Sequence, residues 1–300
     1  MTPWLPDFTV HVATSVDDAL DRMADGEWRP LAGGTDVMVV LAAGGLPPGR
    51  YVSIWGLPEL RGIDVRDDEV AIGSLTTYTD VAEHPLLQGE LPMLGIAARL
   101  SGAVAIQNRG TIGGNIANAS PAADTPPALI AYGASIELVG PGGRRRVPYA
   151  TFHTGYKTTV RREDELISAI LIPRPTSLAR PTSALRRVQV YRKVGTRKAQ
   201  AIAKVGIAVT MTLDGDTVID CAVGLSSVAA VPLVASRTAA ALRGRTVRDG
   251  HDDAIAALLD EVRPLDDVRS TAEYRRRVAE NLWRDVLEST IAQREPVAGF

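Results

Sequence analysis

Leu31-Ala-Gly-Gly-Thr-Asp36 and Thr111-Ile-Gly-Gly-Asn-Ile116 are two glycine loops of similar design, far apart in the sequence. Each sets a pair of glycines after apolar residues and then adds small polar side chains, Thr35 and Asp36 in the first loop and Asn115 in the second. Glycine lets successive backbone N–H groups point into one concavity and lets an oxyanion approach the main chain. One such loop is equally consistent with a strand-to-helix turn. The pair predicts two sides of a single diphosphate-binding site.

Composition narrows the class of protein. The chain has 300 residues, 45% of them hydrophobic, and a net charge of −2, which argues against a nucleic-acid-binding surface. Its one arginine run, Arg144-Arg-Arg146, follows Gly140-Pro-Gly-Gly143 and is interpreted as a solvated hairpin turn. The N-terminus lacks the pattern of a signal peptide, and the apolar stretch 91–106 is too short and interrupted to span a membrane. A cytoplasmic location is therefore expected.

Cysteine and histidine usage limits the metal chemistry of these 300 residues. Cys221 is the only cysteine, so the chain can form no intrachain disulfide and cannot supply the four thiolates usual for an iron–sulfur cluster. The four histidines are scattered without ligand-like spacing, and no metal site is expected.

Periodicity and turn residues predict an α+β fold. In the first part of the chain they predict helices at residues 19–24, 36–43, 77–84, 91–100 and 124–132, with a strand left open as the alternative for 36–43. They predict strands at residues 51–54, 70–72, 134–139 and 165–172. Proline-rich residues 173–181 have the character of a linker. We therefore expect one domain over residues 1–176.

The second part of the chain, residues 181–295, is predicted to be a smaller α+β domain. Antiparallel strands are expected at residues 188–191, 203–213 and 217–226, with Asp214-Gly215 as the turn between the last two. Helices are expected at residues 233–242 and 251–262. Ser270 and Glu273 form the pattern of a capping box for a final helix that ends near residue 292.

The two loops do not match the common nucleotide-binding motifs. Neither G-x-G-x-x-G nor G-x-x-x-x-G-K-[ST] occurs, so the Rossmann and P-loop classes lack their defining feature. Instead, Pro30-Leu-Ala-Gly-Gly-Thr-Asp36 together with Gly110-Thr-Ile-Gly-Gly-Asn-Ile-Ala-Asn-Ala-Ser-Pro-Ala-Ala-Asp124 resembles the paired flavin loops of one family. This family comprises the FAD-binding subunits of the molybdenum hydroxylases, the group of xanthine, carbon monoxide and nicotine dehydrogenases.

The resemblance extends over nearly the whole chain. Phe152-His-Thr-Gly-Tyr-Lys157, with Asp164-Glu-Leu-Ile167, resembles the segment that closes the flavin domain. Tyr191-Arg-Lys-Val-Gly-Thr-Arg-Lys-Ala-Gln-Ala-Ile202 and Asp267-Val-Arg-Ser-Thr-Ala-Glu-Tyr-Arg275 resemble motifs of the C-terminal domain. Details of these motifs slightly favour the xanthine dehydrogenase branch. The implied fold is a two-subdomain FAD-binding domain of the vanillyl-alcohol-oxidase (PCMH) type, with subdomains at about 1–56 and 57–176. A smaller α+β domain with an antiparallel sheet follows it.

The resemblance also implies a set of residues that bind FAD noncovalently. These are Leu31, Ala32, Gly33, Gly34, Thr35, Asp36, Val37, Thr111, Gly113, Gly114, Asn115, Ser120, Asp124, Ile167 and Lys193. Without the resemblance, two of these residues have simpler interpretations. Asp124 is consistent with a cap of the helix that follows it, and Lys193 is consistent with a surface lysine. The stretch 100–106, where some relatives carry an aromatic residue over the flavin ring, is non-aromatic here. His153 is interpreted as structural rather than as a covalent flavin anchor.

The implied function is electron transfer within a complex. The family's partners are a molybdopterin-binding large subunit and a small subunit with [2Fe–2S] clusters, and electrons pass from the clusters to FAD and on to NAD⁺ or another acceptor. A self-contained flavin oxidase or reductase of the same fold is the alternative, and a non-enzymatic phosphate-ligand binder is a third possibility. The residues that would hydroxylate the substrate are expected on the large subunit, so this sequence identifies no catalytic residue.

Overall fold

A parallel three-stranded sheet, interleaved with two helices, forms the N-terminal layer of the computed structural model, which describes residues 8–174, 185–197 and 200–292. In chain order these elements are β1 (Phe8–Val12), α1 (Val16–Met23), β2 (Trp28–Leu31), α2 (Thr35–Ala42) and β3 (Gly49–Ser53). Strand β3 lies between β1 and β2. Ser15 caps the start of α1, because its Oγ accepts a hydrogen bond from the Asp18 amide at 3.0 Å.

Residues 36–43, for which the sequence left both a helix and a strand open, form helix α2. Although its sequence is apolar, none of its residues is buried, and Met38 and Val39 are 59% and 66% exposed. The helix begins where the first glycine loop ends, so its backbone extends directly from that loop.

An antiparallel five-stranded sheet forms the second layer. In spatial order its strands are β4 (Ile63–Val65), β5 (Glu69–Gly73), β10 (Leu166–Pro173), β6 (Ser135–Gly140) and β7 (Gly143–Pro148). The helices of this region are α3 (Tyr78–Glu83), α4 (Pro85–Glu90), α5 (Pro92–Leu100), α6 (Val104–Gln107), α7 (Ile112–Asn118) and α8 (Thr125–Ala131). A small hairpin, β8 (His153–Gly155) with β9 (Thr158–Thr159), precedes β10, and 3₁₀ turns occupy Pro58–Leu60 and Tyr149–Thr151. Fully buried aliphatic side chains from the sheet and the helices form one core.

The interpretation of the arginine run as a solvated turn was wrong. The turn is formed by the glycines before the run, and the arginines lie on strand β7. Each arginine forms an ion pair with a carboxylate: Arg144 with Glu137, Arg145 with Glu165 and Arg146 with Glu69. Cross-strand pairing of opposite charges places the run in the sheet.

The C-terminal part contains a four-stranded antiparallel sheet covered by helices. Its strands, in spatial order, are β11 (Leu185–Val194), β12 (Val205–Asp214), β13 (Thr217–Ser226) and β14 (Leu233–Val234). Its helices are α9 (Ser236–Ala240), α10 (Val247–Glu261) and α11 (Ala272–Ala292). Gly215, with a φ of 56°, makes the predicted turn between β12 and β13. Trp283 of α11 is fully buried in the core between sheet and helices.

Three predicted helix starts in this part were wrong. The helix predicted at residues 251–262 begins earlier, at Val247, because Thr246 Oγ1 accepts a hydrogen bond from the Asp249 amide at 3.1 Å. Residues 233–234 extend the sheet rather than the helix, because Leu233 and Val234 pair with strand β13. The final helix begins one residue later than the capping-box pattern indicates: Thr271 Oγ1 accepts a hydrogen bond from the Tyr274 amide at 3.2 Å. The amide of Ser270 instead donates to Asp267 Oδ1 at 3.1 Å.

Helix α8 joins the two parts of the molecule, because it packs on strands β12 and β13. A Cβ atom on Gly224 of β13 would lie 2.4 Å from the carbonyl oxygen of Pro127, so that only glycine allows this approach. Thr210 Oγ1 donates to the Ala131 carbonyl at 3.0 Å, and Tyr132 Oη donates to Gln189 Oε1 at 2.8 Å. The contact is therefore both close-packed and hydrogen-bonded.

Some predictions fall on parts of the chain that the structure does not describe. These are the linker at residues 175–181, the ends of the predicted domains at residues 1–7 and 293–295, and residues 198–199 of the motif after β11. Among the helices that the structure does describe, none is both long and apolar enough to cross a membrane.

Candidate functional site

A cavity of about 800 Å³ lies where the two glycine loops meet. All but one of the residues that the resemblance implied for FAD line this cavity: Leu31, Ala32, Gly33, Gly34, Thr35, Asp36, Val37, Thr111, Gly113, Gly114, Asn115, Ser120, Asp124 and Ile167. Lys193 is not among the lining residues, but it contacts one of them. The structure thus brings together residues from three separate segments of the predicted cofactor site.

The first glycine loop runs from the end of β2 into α2. Gly34 adopts a φ of 77°, in the left-handed region, and reverses the chain so that α2 begins at Thr35. A Cβ atom on Gly33 would lie 1.8 Å from the carbonyl oxygen of Arg109, immediately before the second loop. The lack of a side chain at this position is what allows the two loops to touch.

The second glycine loop forms the first turn of α7. Thr111 caps this helix, because its Oγ1 accepts a hydrogen bond from the Gly114 amide at 3.0 Å. A Cβ atom on Gly113 would lie 2.5 Å from Cβ of Ser74, so this glycine packs against the floor of the cavity. A Cβ atom on Gly114 would lie 4.0 Å from Cβ of Ala32 in the first loop. Gly114 therefore faces the gap between the loops.

Asp124 and Lys193 form a buried ion pair beside the cavity. Lys193 Nζ donates to Asp124 Oδ2 at 2.8 Å and to the Leu100 carbonyl at 3.1 Å. The two side chains are only 7% and 11% exposed. Asp124 lies before α8 and Lys193 lies on β11, so the pair links the two parts of the molecule. Tyr191 of the same strand adds a bond from its Oη to the backbone carbonyl of Asp124 at 2.8 Å.

This geometry contradicts one interpretation of Asp124. Its side chain makes no capping hydrogen bond to α8, so the interpretation as a side-chain cap was wrong. Lys193 is likewise not a free surface lysine. Burial raises the pKa of Asp124 to about 6, and the attraction and hydrogen bond of Lys193 oppose this rise.

Two buried polar atoms at the cavity have no hydrogen-bond partner within the described part of the chain: Asp124 Oδ1 and Ser74 Oγ. A buried acceptor or donor without a partner costs about 1–3 kcal/mol. Such atoms are satisfied when a polar ligand occupies the cavity. Together with a concavity kept open by glycines, they make the site suitable for a large ligand with phosphate and hydroxyl groups.

Sequence reasoning missed Tyr78 and Ser74, which both line the cavity. Tyr78 is 5% exposed, and its amide donates to the Gly110 carbonyl at 3.1 Å. Burial, with the negative charges of Asp124 and Asp36, holds the pKa of Tyr78 far above its usual value, so its hydroxyl remains a neutral donor. Neither residue carries a local motif comparable to the glycine loops, because both are packed against segments far along the chain.

Two other aromatic residues, His153 and Tyr156, lie outside the cavity. His153 Nε2 is 3.0 Å from Tyr149 Oη, and its ring packs edge-on against Tyr149 and Phe152. Burial lowers the pKa of His153 to about 4. It is not among the residues that line the cavity. Tyr156 is 67% exposed and does not line the cavity either, whereas Trp28 does.

Comparison with known proteins identifies the class that this fold and site define. Residues 6–175 match the family model described as the FAD binding domain in molybdopterin dehydrogenase, and residues 189–290 match the CO dehydrogenase flavoprotein C-terminal domain. The chain therefore belongs to the FAD-binding subunits of the molybdenum hydroxylases, which are oxidoreductases. The expectations of an FAD cofactor and of a two-domain α+β fold are confirmed.

Individual relatives span almost the whole chain. The carbon monoxide dehydrogenase medium chain of Hydrogenophaga pseudoflava is 31% identical, with 96% of this chain and 98% of the relative covered. A xanthine dehydrogenase FAD-binding subunit of Escherichia coli is 30% identical, with 94% and 95% covered. A solved structure of the Hydrogenophaga pseudoflava carbon monoxide dehydrogenase, in a form lacking the Mo-pyranopterin moiety of its cofactor, gives a TM-score of 0.88 at 32% identity. It covers 96% of this chain and 99% of the matched one.

Proposed function

We propose that this chain is the electron-transfer subunit of a heteromeric molybdenum hydroxylase. Its partners would be a molybdopterin-binding large subunit and a small subunit with [2Fe–2S] clusters. The observation that carries the proposal is the single cavity in which both glycine loops and the Asp124–Lys193 pair meet. When bound, FAD accepts electrons one at a time and releases them in pairs, and the protein supplies binding, orientation and electrostatics.

Different residues of the cavity would bind different groups of FAD. The uncapped backbone amides at the start of α2 would hold the diphosphate without a basic cluster. The amides of residues 112–115 already donate to groups of the protein, so the second loop would contribute the close approach that its glycines allow. Thr35, Asn115 and Ser120 would add hydroxyl and amide hydrogen bonds, and Ile167 would supply an apolar wall. Lys193 would orient Asp124, whose Oδ1 has no hydrogen-bond partner in the described part of the chain and would accept one from the cofactor.

The clusters would come from another chain. Cys221 is the only cysteine of these 300 residues, and it is buried. Burial raises the pKa of its thiol to about 12, so it has little thiolate character at neutral pH. The lack of cysteines for a cluster favours an electron-transfer subunit, or relay, over a self-contained enzyme.

NAD⁺ is the acceptor that we propose, with oxygen, a quinone or another carrier as the alternatives. The motifs at Gly155-Tyr-Lys157 and at residues 197–202 slightly favour the xanthine dehydrogenase branch. Relatives of comparable identity carry the names of carbon monoxide and glyceraldehyde dehydrogenases. The substrate would be bound by the large subunit.

We also propose the domain boundaries given by the sequence. The FAD-binding domain would cover residues 1–176, with its subdomains meeting near residue 56, and the C-terminal domain would cover residues 181–295. The two family matches, 6–175 and 189–290, support this division.

Purification of the chain alone tests the relay function. We expect a yellow protein whose FAD is released on denaturation, with no cluster absorbance. Anaerobic NADH should reduce the bound FAD, whereas xanthine, glyceraldehyde and carbon monoxide should leave it oxidised, because the molybdenum site is missing.

The control is the same chain from which FAD has been removed and to which FAD has then been added back. Turnover of an organic substrate by the isolated chain would contradict the relay and would support a self-contained oxidase or reductase. Failure of NADH alone to reduce the flavin would exclude NAD⁺ as the acceptor.

A further inference from the structure

Ser74 is held rigidly between the sheet and the second glycine loop. It follows strand β5, and its amide donates to the Ser168 carbonyl of β10 at 3.0 Å. Its own carbonyl accepts a hydrogen bond from the Gly113 amide at 2.9 Å. Both backbone groups are therefore satisfied, and the position of the side chain is set by the β-sheet and by α7.

The Ser74 side chain is buried, and its hydroxyl has no partner in the described part of the chain. The residue is only 3% exposed and lines the cavity. Its Oγ is one of the two unpartnered buried polar atoms at this site. Buried hydroxyls in folded proteins are normally hydrogen-bonded, so an unpartnered hydroxyl on a residue that lines a cavity points to a ligand as its partner.

Gly113 has no room for a side chain because of Ser74. The 2.5 Å contact that a Cβ atom would make with Ser74 Cβ shows that the loop closes onto this serine. Ser74 thus lies against the loop that carries Asn115, and both residues line the same cavity. A ligand in contact with the second loop would lie beside Ser74.

We propose that Ser74 binds FAD by donating a hydrogen bond from its Oγ to an oxygen of the cofactor next to the second glycine loop. The proposal rests on the proposed cofactor site and adds a residue to it. The bond supplies a donor at a loop whose own backbone amides are already used, and it removes the cost of a buried hydroxyl without a partner.

Ser74→Ala tests the proposal by separating cofactor affinity from stability. We expect its dissociation constant for FAD to rise about tenfold, or about 1.4 kcal/mol. The melting temperature of the FAD-free protein should stay the same or rise, because the variant removes an unpartnered buried hydroxyl. FAD fluorescence titration and thermal unfolding of the stripped protein measure the two effects.

Ser168→Ala is the matched control. Ser168 is similarly buried, but its Oγ donates to Glu137 Oε1 at 2.6 Å, and it does not line the cavity. This variant should lower the melting temperature and leave FAD affinity unchanged.

The outcomes separate this proposal from the assignment of the cofactor site. Wild-type affinity in Ser74→Ala would overturn the role of Ser74 alone. A loss of FAD-free stability equal to that of Ser168→Ala would also overturn it, since the hydroxyl would then have a structural partner. If the wild-type chain itself failed to bind FAD, the assignment of the whole cavity would fall with it.

Discussion

Gly114→Val should abolish the retention of FAD. A Cβ atom at this position would lie 2.9 Å from Thr111 Oγ1 and 4.0 Å from Ala32 Cβ, so the valine methyl groups would enter the gap between the two loops. The substitution also crowds the hydroxyl that caps α7. We expect at least a hundredfold weaker binding, roughly 3 kcal/mol, measured by fluorescence titration of the stripped protein.

Gly89→Val is the matched control for this prediction. Gly89 also lies in a short helix, α4, but a Cβ atom there meets nothing within 4 Å, and the residue is not part of the cavity. This variant should bind FAD as the wild type does. Circular dichroism of both variants separates loss of the site from loss of the fold. Full flavin occupancy in a folded Gly114→Val protein would refute the placement of the diphosphate at the second loop.

Lys193→Met should destabilise the protein at alkaline pH, by about 3–5 kcal/mol. The substitution keeps the length of the side chain but leaves the Asp124 carboxylate buried without its cation. Removal of one partner of a buried pair costs more than the pair contributes, because the remaining charge is uncompensated. Urea unfolding of the FAD-free protein measures the effect.

The pH dependence of this effect has a defined sign. In the folded wild type, burial raises the pKa of Asp124 to about 6, from an ordinary value of 3.8. The folded state therefore favours the protonated carboxyl more than the unfolded state does. The stability that this group contributes is lost as the pH rises from about 4 to about 6. Without Lys193 the pKa rises further, and the loss continues to higher pH. The deficit of Lys193→Met relative to the wild type should be small near pH 5 and large near pH 8.

Asp124→Leu combined with Lys193→Met supplies the control for the ion pair. Replacement of a buried pair by apolar residues is often neutral, so the double variant should recover most of the stability. It should not recover FAD affinity, because the free carboxylate oxygen is gone. An equal deficit of the single variant at both pH values would show that Asp124 is not the group responsible.

Those features of the cavity that depend only on neighbouring residues could be predicted from the sequence. Glycines such as Gly34 and caps such as Thr111 act on the next few residues, so their spacing can be read directly from the chain. The resemblance supplied Asp124 and Lys193 as FAD-binding residues, but not their bond to each other. That bond depends on the packing of α8 against a strand of the C-terminal sheet.

The remaining differences also arise from contacts between distant segments. The isolated sequence at Leu233 favours a helix, and its pairing with β13 overrides that preference. Ser74 carries no local signal of its own, because its burial comes from β10 and α7, which lie far along the chain. Tyr78 is likewise buried by its contact with Gly110.

The contact between Gly33 and the Arg109 carbonyl restricts which sequences this site can tolerate. With 1.8 Å between that oxygen and the place of a Cβ atom, no side chain at position 33 is compatible with the present spacing of the loops. Variation that tunes the cofactor environment must therefore fall on neighbours whose side chains line the cavity, such as Ala32, Thr35 and Asp36. A change at Gly33 could persist only with a compensating shift of the segment around Arg109, so the two segments are expected to vary together.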